Sequence, residues 1–350
     1  MTMKLQRVVG LAEEVTYATP IANPDFHMEV SDSSIAIEGD PLKFESGLSR
    51  DLTLVRPGPY IPQPEFSGLT DLKTIGHFLK GVLGGYEYTA GVGEDPNVHE
   101  IWGSEDLLLP SFTLFGHFDL FVKKVAGALI QSVSLEVSNE FIELAVKTVG
   151  SKDSKTNGVP EPTTLKTLVG VVPLTFYEVS MQFGGEVPPG IVSSLKWEVS
   201  NDIKTDDAAG IGSRFMVRKP SAGKRTNTLE FEVSLEPETL KYLEMFEYGE
   251  QGATQPSGCK MTTVPIELVL EPCDPSVDEK LTISFPDNLA KVEYSASGSD
   301  AIKLKISLES LATTPVELND GVTEIITSVY CKLENEIPEL VPGGVVMQGP

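Results

Sequence analysis

The sequence predicts a mainly β protein made of two tandem copies of one β-rich domain, each with a single α-helix. Three observations lead to this fold class. Apolar and polar residues alternate at period two along much of the chain, only two segments have helical periodicity, and several patterns recur about half the chain length apart. Such alternation is typical of antiparallel sheets with one solvated face.

The alternation is clearest in segments 133–137, 229–235 and 302–308. Each places Val, Leu, Ile or Phe on one face and Ser, Glu or Lys on the other. We therefore expect a strand in each segment, with its apolar face in the core.

Two segments predict helices. Residues 70–83 space their apolar side chains by three and four, begin at Thr70-Asp71, which suits an N-cap, and end at Gly84-Gly85. Residues 236–248 have Pro237 in the first turn and Gly249 just beyond. In both cases a strand-like segment comes directly before the helix.

An internal repeat is indicated by four pairs of patterns that occur in the same order. The pairs are Met28–Asp32 with Trp197–Asn201, Phe66 with Phe231, Val133 with Val292, and 142–144 with 302–304. The first of these also occurs at 135–139, so it proves little alone.

The repeat sets the predicted boundaries. We expect an N-terminal arm at 1–24, a first domain at 25–155, a linker at 156–172, a second domain at 173–335 and a C-terminal tail at 336–350.

Each predicted domain contains a long excursion, 39–63 in the first and 206–228 in the second. Excursions of this length are usually functional or disordered, and short apolar alternation within them favours extended hairpin arms. The second arm carries five basic residues without an acid between them: Arg214, Arg218, Lys219, Lys224 and Arg225. This run is either a solvated loop or, as a functional element, a surface that docks onto carboxylates of another copy rather than onto nucleic acid.

Charge and composition exclude several classes of function. The chain has 27 basic and 51 acidic side chains, a formal net charge of −24, so binding to nucleic acid or to anionic membranes through a basic face is disfavoured. No signal peptide or membrane span is predicted. Three cysteines, unevenly spaced, do not indicate a disulfide framework, which suggests a chain made in a reducing cytoplasm.

The sequence offers no catalytic constellation, so we expect no enzyme, cofactor or metal site. Four histidines are scattered without metal-ligand spacing, and the glycine-rich segments match neither a phosphate loop nor a dinucleotide fingerprint. Composition leaves a carboxylate pair open. However, the pair Glu230 and Glu232 lies on the outward face of a predicted strand, where solvation explains it.

Several segments, in their order and spacing, resemble the tail tube (major tail) proteins of long-tailed bacteriophages. They are the opening Val9–Pro20, the early strand followed by a long arm, the strand and helix ending at 79–85, Leu109–Leu114, and the hairpin Ile130–Val149. The likeness covers residues 7 to about 312. The second copy departs from the pattern because it lacks an obvious counterpart of Leu109–Leu114, for which Val264–Leu270 is the candidate substitute.

The resemblance implies a structural protein of the virion tail, made in the cytoplasm of a bacterial host. Each tube domain would be a β-sandwich or half-open barrel with one flanking helix. Two fused domains would give a homotrimeric, pseudo-hexameric ring, with a hexamer as the alternative, and rings would stack into a tube for DNA ejection. Implied partners are tail tip and terminator proteins, a tape-measure protein in the lumen, and genomic DNA as transient, unbound cargo, but no membrane.

The resemblance also implies that the arms reach a neighbouring ring. Candidate ring-to-ring contacts combine apolar, aromatic and basic side chains, which are common interface anchors. They are Leu52, Leu54, Arg56, Tyr60, Arg214, Phe215, Met216, Arg218 and Lys219.

Two other functions stay open. A tandem β-sandwich carbohydrate-binding or adhesive module would need a concave aromatic platform, whereas Trp102 and Trp197 are isolated in the sequence. An enzyme acting through a carboxylate pair would show turnover that a single Asp or Glu substitution abolishes.

Overall fold

The computed structural model describes residues 7–39, 41–44, 51, 54–93, 95–118, 120–158, 171–185, 187, 192–206, 208, 210–237, 239–248, 252–255, 263–274, 276–295 and 303–342. The described chain is mainly β with two helices, which confirms the predicted class at that level. The helices are α1 (Ile75–Leu83) and α2 (Leu240–Tyr248).

The strands up to residue 157 are β1 (Arg7–Glu13), β2 (Phe26–Glu29), β3 (Asp32–Glu38), β4 (Leu42–Phe44), β5 (Leu54–Arg56), β6 (Ile61–Leu69), β7 (Gly84–Thr89), β8 (Asn97–Gly103), β9 (Phe112–Phe118), β10 (Phe121–Val137), β11 (Glu143–Val149) and β12 (Lys152–Asn157). Those that follow are β13 (Val179–Phe183), β14 (Val192–Ile203), β15 (Ala222–Ser234), β16 (Ile266–Leu270), β17 (Lys280–Phe285), β18 (Asp287–Ser295), β19 (Lys303–Leu311), β20 (Pro315–Glu317), β21 (Glu324–Ile326) and β22 (Tyr330–Asn335).

The strands form a 12-stranded sheet, a 6-stranded sheet and two 2-stranded hairpins. The main row of the larger sheet is β3-β6-β11-β10-β14-β15-β19-β18, with β1, β2, β9 and β12 attached beside it. The smaller sheet has the order β13-β16-β17-β22-β8-β7. The ladders of both sheets are antiparallel, including the one that joins the two halves of the main row, as the alternation predicted.

The main row consists of one four-strand unit used twice. The order β3-β6-β11-β10 from the first half is followed by β14-β15-β19-β18 from the second. In the first unit Phe66 pairs with Val146, and Val146 with Val133. In the second unit Phe231 pairs with Ile306, and Ile306 with Val292. The recurring patterns at Phe66 and Phe231, and at Val133 and Val292, therefore lie at equivalent places.

One of the four repeated sequence patterns does not lie at equivalent places in the structure. Ser33 pairs with Phe66 as Leu195 pairs with Phe231, so Ser33 and Leu195 are equivalent. Met28 lies on β2, which pairs with β1, and is not equivalent to Trp197 on β14. The shared tetrapeptide is a local coincidence.

The candidate substitute for Leu109–Leu114 has the corresponding position, because β16 lies within the segment Val264–Leu270. β9 pairs with the beginning of β10, and β16 pairs with β17, which runs almost directly into β18. The long strand β10 thus corresponds to β17 and β18 together. The ladders alone establish this correspondence, since no short sequence pattern is shared.

Both predicted terminal extensions need correction. Within 1–24, β1 is a sheet strand between β2 and β9, and Val8, Val9 and Leu11 are buried. Within 336–350, Ile337 and Leu340 are buried, since the chain after β22 continues across the core. A short apolar run with few polar residues, such as 8–12, does not distinguish an arm from a strand without its partners.

The two predicted domains also share a sheet. β22 from the second half pairs with β17 on one side and with β8 from the first half on the other. The halves are joined again where β10 meets β14. The boundary at 156–172 is therefore a chain connection, of which 159–170 lie outside the described residues, and the hydrophobic core extends across both halves.

Both helices end where predicted but begin later. Asp71 accepts hydrogen bonds from the backbone amides of Lys73 and Thr74, which holds a turn before α1. In a similar turn before α2, the Thr239 hydroxyl accepts a hydrogen bond from the Glu236 amide and donates one to the Glu236 carbonyl. Gly84 follows α1 at φ 86°, a conformation that favours glycine. Side-chain hydrogen bonds to the backbone thus replace the first helical turn in both cases.

α1 lies between the two large sheets, and all its residues are buried. Gly81 faces Ile130 and Phe112 of the larger sheet, whereas Gly76 faces Leu333 of the smaller one. This packing on both sides explains why the helix carries no exposed polar face.

The one lysine of α1 is buried with a partner. Lys80 extends to Glu13, with its Nζ 2.7 Å from Oε2, and also donates to the carbonyl of Leu340. Burial raises the pKa of Glu13 although Lys80 acts to lower it. The pair thus ties the helix to β1 and to the chain after β22.

Candidate assembly surfaces

Both arms leave the same end of the larger sheet. The first connects Glu38 to Ile61, which are paired across β3 and β6, and the second connects Ile203 to Ala222, which are paired across β14 and β15. Met216 and Ala208 from the second arm pack with Ile61 and with Val149, the last residue of β11. The bases of the arms therefore share a small apolar cluster.

The arms meet at Tyr60, Arg214 and Phe215, which the sequence predicted separately as contacts. The Tyr60 amide donates to the Arg214 carbonyl at 2.8 Å, and Arg214 Nε donates to the Gly58 carbonyl at 2.9 Å. The Arg214 guanidinium lies 5.8 Å from the Tyr60 ring centroid, and the Phe215 ring 5.6 Å from it. Tyr60 is also hydrogen-bonded to Asp153, and its pKa is raised, first by desolvation and then by that hydrogen bond. This arm junction fixes the two arms to one another.

Beyond the junction the first arm forms the hairpin β4–β5, as the alternation predicted. Leu54 and Arg56 are exposed there, and Leu52 lies outside the described residues. Leu42 pairs with Arg56 and Phe44 with Leu54, so these four side chains share one face. Leu42 is 61% exposed and Phe44 60%. Neither was among the predicted contacts, although Leu42-Lys-Phe44 shows the same alternation.

The second arm differs from the predicted hairpin. Between 204 and 221, its described residues form no named strand. Met216 is buried, so its side chain is not available to another ring, whereas Arg218 is exposed and Lys219 is half-buried. Burial lowers the pKa of Lys219, whereas the nearby carboxylates of Asp106, Glu13 and Glu14 act to raise it.

The basic run does not form one patch. Arg225 donates to the carbonyls of Leu83 and Ser104, beyond the end of α1, and Lys224 lies 3.7 Å from Glu309. These two cations therefore have partners within the same chain. Arg214 and Arg218 are exposed on the arm itself, before β15 begins.

The main row of strands has an edge at each end. Among the described residues β3 pairs only with β6, and β18 only with β19. Ile37 on β3 is 41% exposed and Tyr294 on β18 is 54% exposed, although both lie on the core-facing side of their strands. An unpaired edge with exposed apolar residues is a template for another strand.

The outward face of the row is charged, and glutamates outnumber lysines on its described part. The glutamates are Glu38, Glu65, Glu136, Glu143, Glu198, Glu230, Glu232, Glu293 and Glu309, and the lysines are Lys147, Lys196, Lys224, Lys291, Lys303 and Lys305. Each lysine has a glutamate beside it; for example, Lys305 lies 2.9 Å from Glu230 and Lys291 2.7 Å from Glu293. Lys196 lies opposite Glu136 in the ladder. The described part of the face is thus net acidic, and five of its six lysines lie within 4.0 Å of a glutamate.

The buried polar groups near β1 have structural roles. Glu14 accepts hydrogen bonds from Ser111, Thr113 and the amides of Ala18 and Gly127, and burial raises its pKa.

Within the described ranges, no group of three or more His, Cys, Asp or Glu is arranged to hold a metal ion. Neither described helix is both long enough and apolar enough to cross a membrane.

The two tryptophans do not form a binding platform. Trp197 is fully buried, donates to Asn227 and packs edge-on against Phe285, while Trp102 is half-buried in β8.

In comparisons with known proteins, no family model matches this chain and no curated protein is significantly similar to it.

Proposed function

We propose that this protein assembles into closed rings that stack into a tube, as a phage tail tube protein with two fused tube domains does. The observation that carries the proposal is the repeated row of strands. Its interior junction, β10 against β14, joins the last strand of the first unit to the first strand of the second. β18 and β3 are the equivalent strands at the two edges, so the same junction could form between copies.

The interior junction specifies a register for that contact. Ser132 pairs with Ser200 and Val133 with Val199 across β10 and β14. Val292 is equivalent to Val133, and Leu195 to Ser33, through their ladders with the neighbouring strands. When both equivalences are applied to a contact between two copies, Lys291 of one copy pairs with Glu38 of the other. In the same register Val292 pairs with Ile37, and Tyr294 with Ile35.

The residues that this register brings together are chemically matched. Lys291 and Glu38 have opposite charges on the outward face, where directly opposed side chains attract. Tyr294 with Ile35, and Val292 with Ile37, would cover apolar surface that is exposed or half-exposed in one chain. An arbitrary register would not pair both sets, because a shift by one residue exchanges the faces.

Repeating a heterologous contact by rotation closes a ring and removes the sheet edges. Each chain contributes eight strands to the row, so a homotrimer would form a barrel of 24 strands. Barrels of more than about 16 strands leave an open channel. A hexamer of the single chain is the alternative.

The outward face of the row would line the channel if the helices and the smaller sheet lie outside it. A net acidic wall repels DNA, and lysines that already contact glutamates offer few charges to phosphate. The proposal therefore includes DNA as a passing cargo that is not bound. Location in a virion tail, and tail tip, terminator and tape-measure proteins as partners, belong to the same proposal.

The direct test is a cross-link in the derived register. In a background with Cys259 and Cys273 replaced by Ser, Lys291→Cys with Glu38→Cys should form disulfides between copies, because directly opposed Cα atoms lie within disulfide reach. Under oxidising conditions we expect a covalent ladder on denaturing gels that ends at the ring size, and three-fold rings in projection by electron microscopy.

Two matched variants define the register. Lys291→Cys with Ser34→Cys keeps the same face but shifts the register, and should cross-link at least about tenfold less, in keeping with the narrow distance range of disulfides. Ser132→Cys with Ser200→Cys, opposed within one chain, should give only an intramolecular bond. Equal cross-linking of the shifted pair would refute the register. Monomers under every concentration and salt condition would count against ring assembly itself.

A further inference from the structure

The end of the larger sheet opposite the arms has an exposed aromatic groove. The turn between β10 and β11, together with the segment before β13, forms a cavity of about 240 Å³. It is lined by Asn139, Glu140, Phe141, Thr175, Phe176 and Tyr177. Phe141 is 48% exposed and Tyr177 62%.

In the part of the chain that the structure describes, exposed aromatic side chains are few, and they are concentrated. Six aromatic residues are exposed among the described residues: Phe44, Phe141, Phe176, Tyr177, Phe215 and Tyr294. Tyr294 lies on the β18 edge, Phe44 and Phe215 lie on the arms, and the other three line the groove. Clusters of this kind mark contact surfaces more often than single exposed residues do.

The groove is held rigidly although its side chains are exposed. Phe176–Glu178 is a 3-10 turn closed by a capping box in which Glu178 accepts from Thr175. Phe176 donates its amide to the Glu140 carbonyl, and Cys273 donates its amide to Glu178. A contact surface that is already ordered loses little conformational entropy on binding.

We propose that this groove receives the hairpin β4–β5 of a second copy of the chain in the next ring. One face of the hairpin presents Leu42, Phe44, Leu54 and Arg56, three apolar side chains and a cation. The groove presents three aromatic side chains and the exposed carboxylate of Glu140. The two surfaces are therefore complementary in both polarity and charge.

Their positions suit stacking. The hairpin extends from the sheet end that contains Glu38 and Ile61, and the groove lies beyond Val137 and Glu143 at the other end. Strands in a closed barrel tilt by about 35–45° from its axis, so these ends face opposite sides of a ring. A contact between different patches on opposite sides repeats without closing and generates a filament of rings. This inference rests on the proposed ring.

Charge reversal tests the contact without changing the core. Glu140→Arg and Arg56→Glu should each leave rings intact and lower the yield of stacked tubes about tenfold or more, since like charges then meet at the interface. The double variant should restore tubes, which a merely structural role of either residue would not produce. Tyr177→Ser should also prevent stacking, whereas Val322→Ser, an 83% exposed residue outside both surfaces, should not.

Ring and tube formation are scored separately by electron microscopy and native mass spectrometry. If wild-type rings form but tube yield is unchanged in both single charge variants, the groove is not the receptor and the ring proposal stands. If wild-type protein forms no rings, the proposed function and this inference both fail. Specific hits on a glycan array that Tyr177→Ser abolishes would assign the groove to carbohydrate and overturn the docking proposal.

Discussion

The two helices have equivalent places in the repeated unit but different surroundings. α1 follows β6 and packs on β10, while α2 follows β15 and packs on β18. Every residue of α1 is buried, whereas none of the described side chains of α2 is buried, and Leu240 is 44% exposed. The difference arises both from what covers each helix and from the helix sequences, because α2 contains Lys241, Glu244 and Glu247 whereas Lys80 is the one lysine or acid of α1.

Much of what covers α1 comes from the second half of the chain. Asn201 on β14 donates to the Val82 carbonyl, Arg225 on β15 donates to the Leu83 carbonyl, and Leu340 packs near Gly76. β14 is the strand that continues the row beyond the first unit. In the proposed ring, β3 of the next copy would continue the row beyond β18, so part of the cover of α2 would come from assembly.

The largest expected effect compares a phenylalanine in each helix. Phe78→Ala in α1 should cost about 3–5 kcal/mol in the free energy of unfolding, because it leaves a cavity in a closed core. Phe246→Ala in α2 should cost only about 1 kcal/mol in the unassembled chain, since that side chain is partly buried against Phe183. Urea unfolding of both variants, at concentrations where rings do not form, measures the difference. Equal losses would mean that α2 is as well covered as α1.

The next prediction removes part of the cover of α1. Leu340→Ala should cost about 2–4 kcal/mol, because Leu340 is 2% exposed and its own backbone accepts from Lys80 and donates to the Tyr86 hydroxyl. Hydrogen exchange should rise along α1 more than along α2. Val341→Ala is the matched control; its side chain is 37% exposed, and its cost should stay within about 0.5 kcal/mol. If hydrogen exchange in α1 is the same in Leu340→Ala and Val341→Ala, the side chain of Leu340 does not protect the helix.

How much of this organisation the sequence could predict depends on the range of the interactions. Period-two alternation and the glycine after Leu83 are local, and they predicted the strands, the end of α1 and the hairpin near Leu54. The burial of Met216 against Ile61 and Val149 is not local, and on the arm its apolar character looked like that of an interface residue. The pairing of β22 with β8 likewise joins residues far apart in the chain, for which no short pattern exists.

All four histidines lie in the first half of the sequence, and protonation of His77 should lower the stability of the folded chain. His77 in α1 is buried against Phe26, and burial, with Lys80 and His99 nearby, lowers its pKa from 6.5 to about 3. A lowered pKa in the folded state means that its contribution to stability is present above pH 6.5 and is lost as the pH falls toward 3. Between pH 6.5 and 5 the loss should be about 2 kcal/mol, at about 1.4 kcal/mol per pH unit.

The comparison of His77→Gln with wild type isolates this contribution. Glu13 and Asp71 have raised pKa values from burial, so their effect has the opposite sign, but both are present in each protein. The free energy of unfolding of the variant should therefore fall less steeply below pH 6.5. If the free energy of unfolding depends on pH in the same way in both proteins, His77 takes up its proton equally in the folded and unfolded states.

The smallest expected effect concerns the arm junction, where the two halves of the chain meet outside the core. Arg214→Ala should cost about 1 kcal/mol or less, because an exposed cation over a tyrosine ring contributes about 0.5–1 kcal/mol. Its clearer result should be faster hydrogen exchange at Tyr60, whose amide donates to the Arg214 carbonyl. Arg218→Ala, on the same arm and exposed, is the control and should leave exchange at Tyr60 unchanged. If both variants exchange alike, the Arg214 side chain does not hold the arms together, and the cluster of Met216 with Ile61 and Val149 would position them instead.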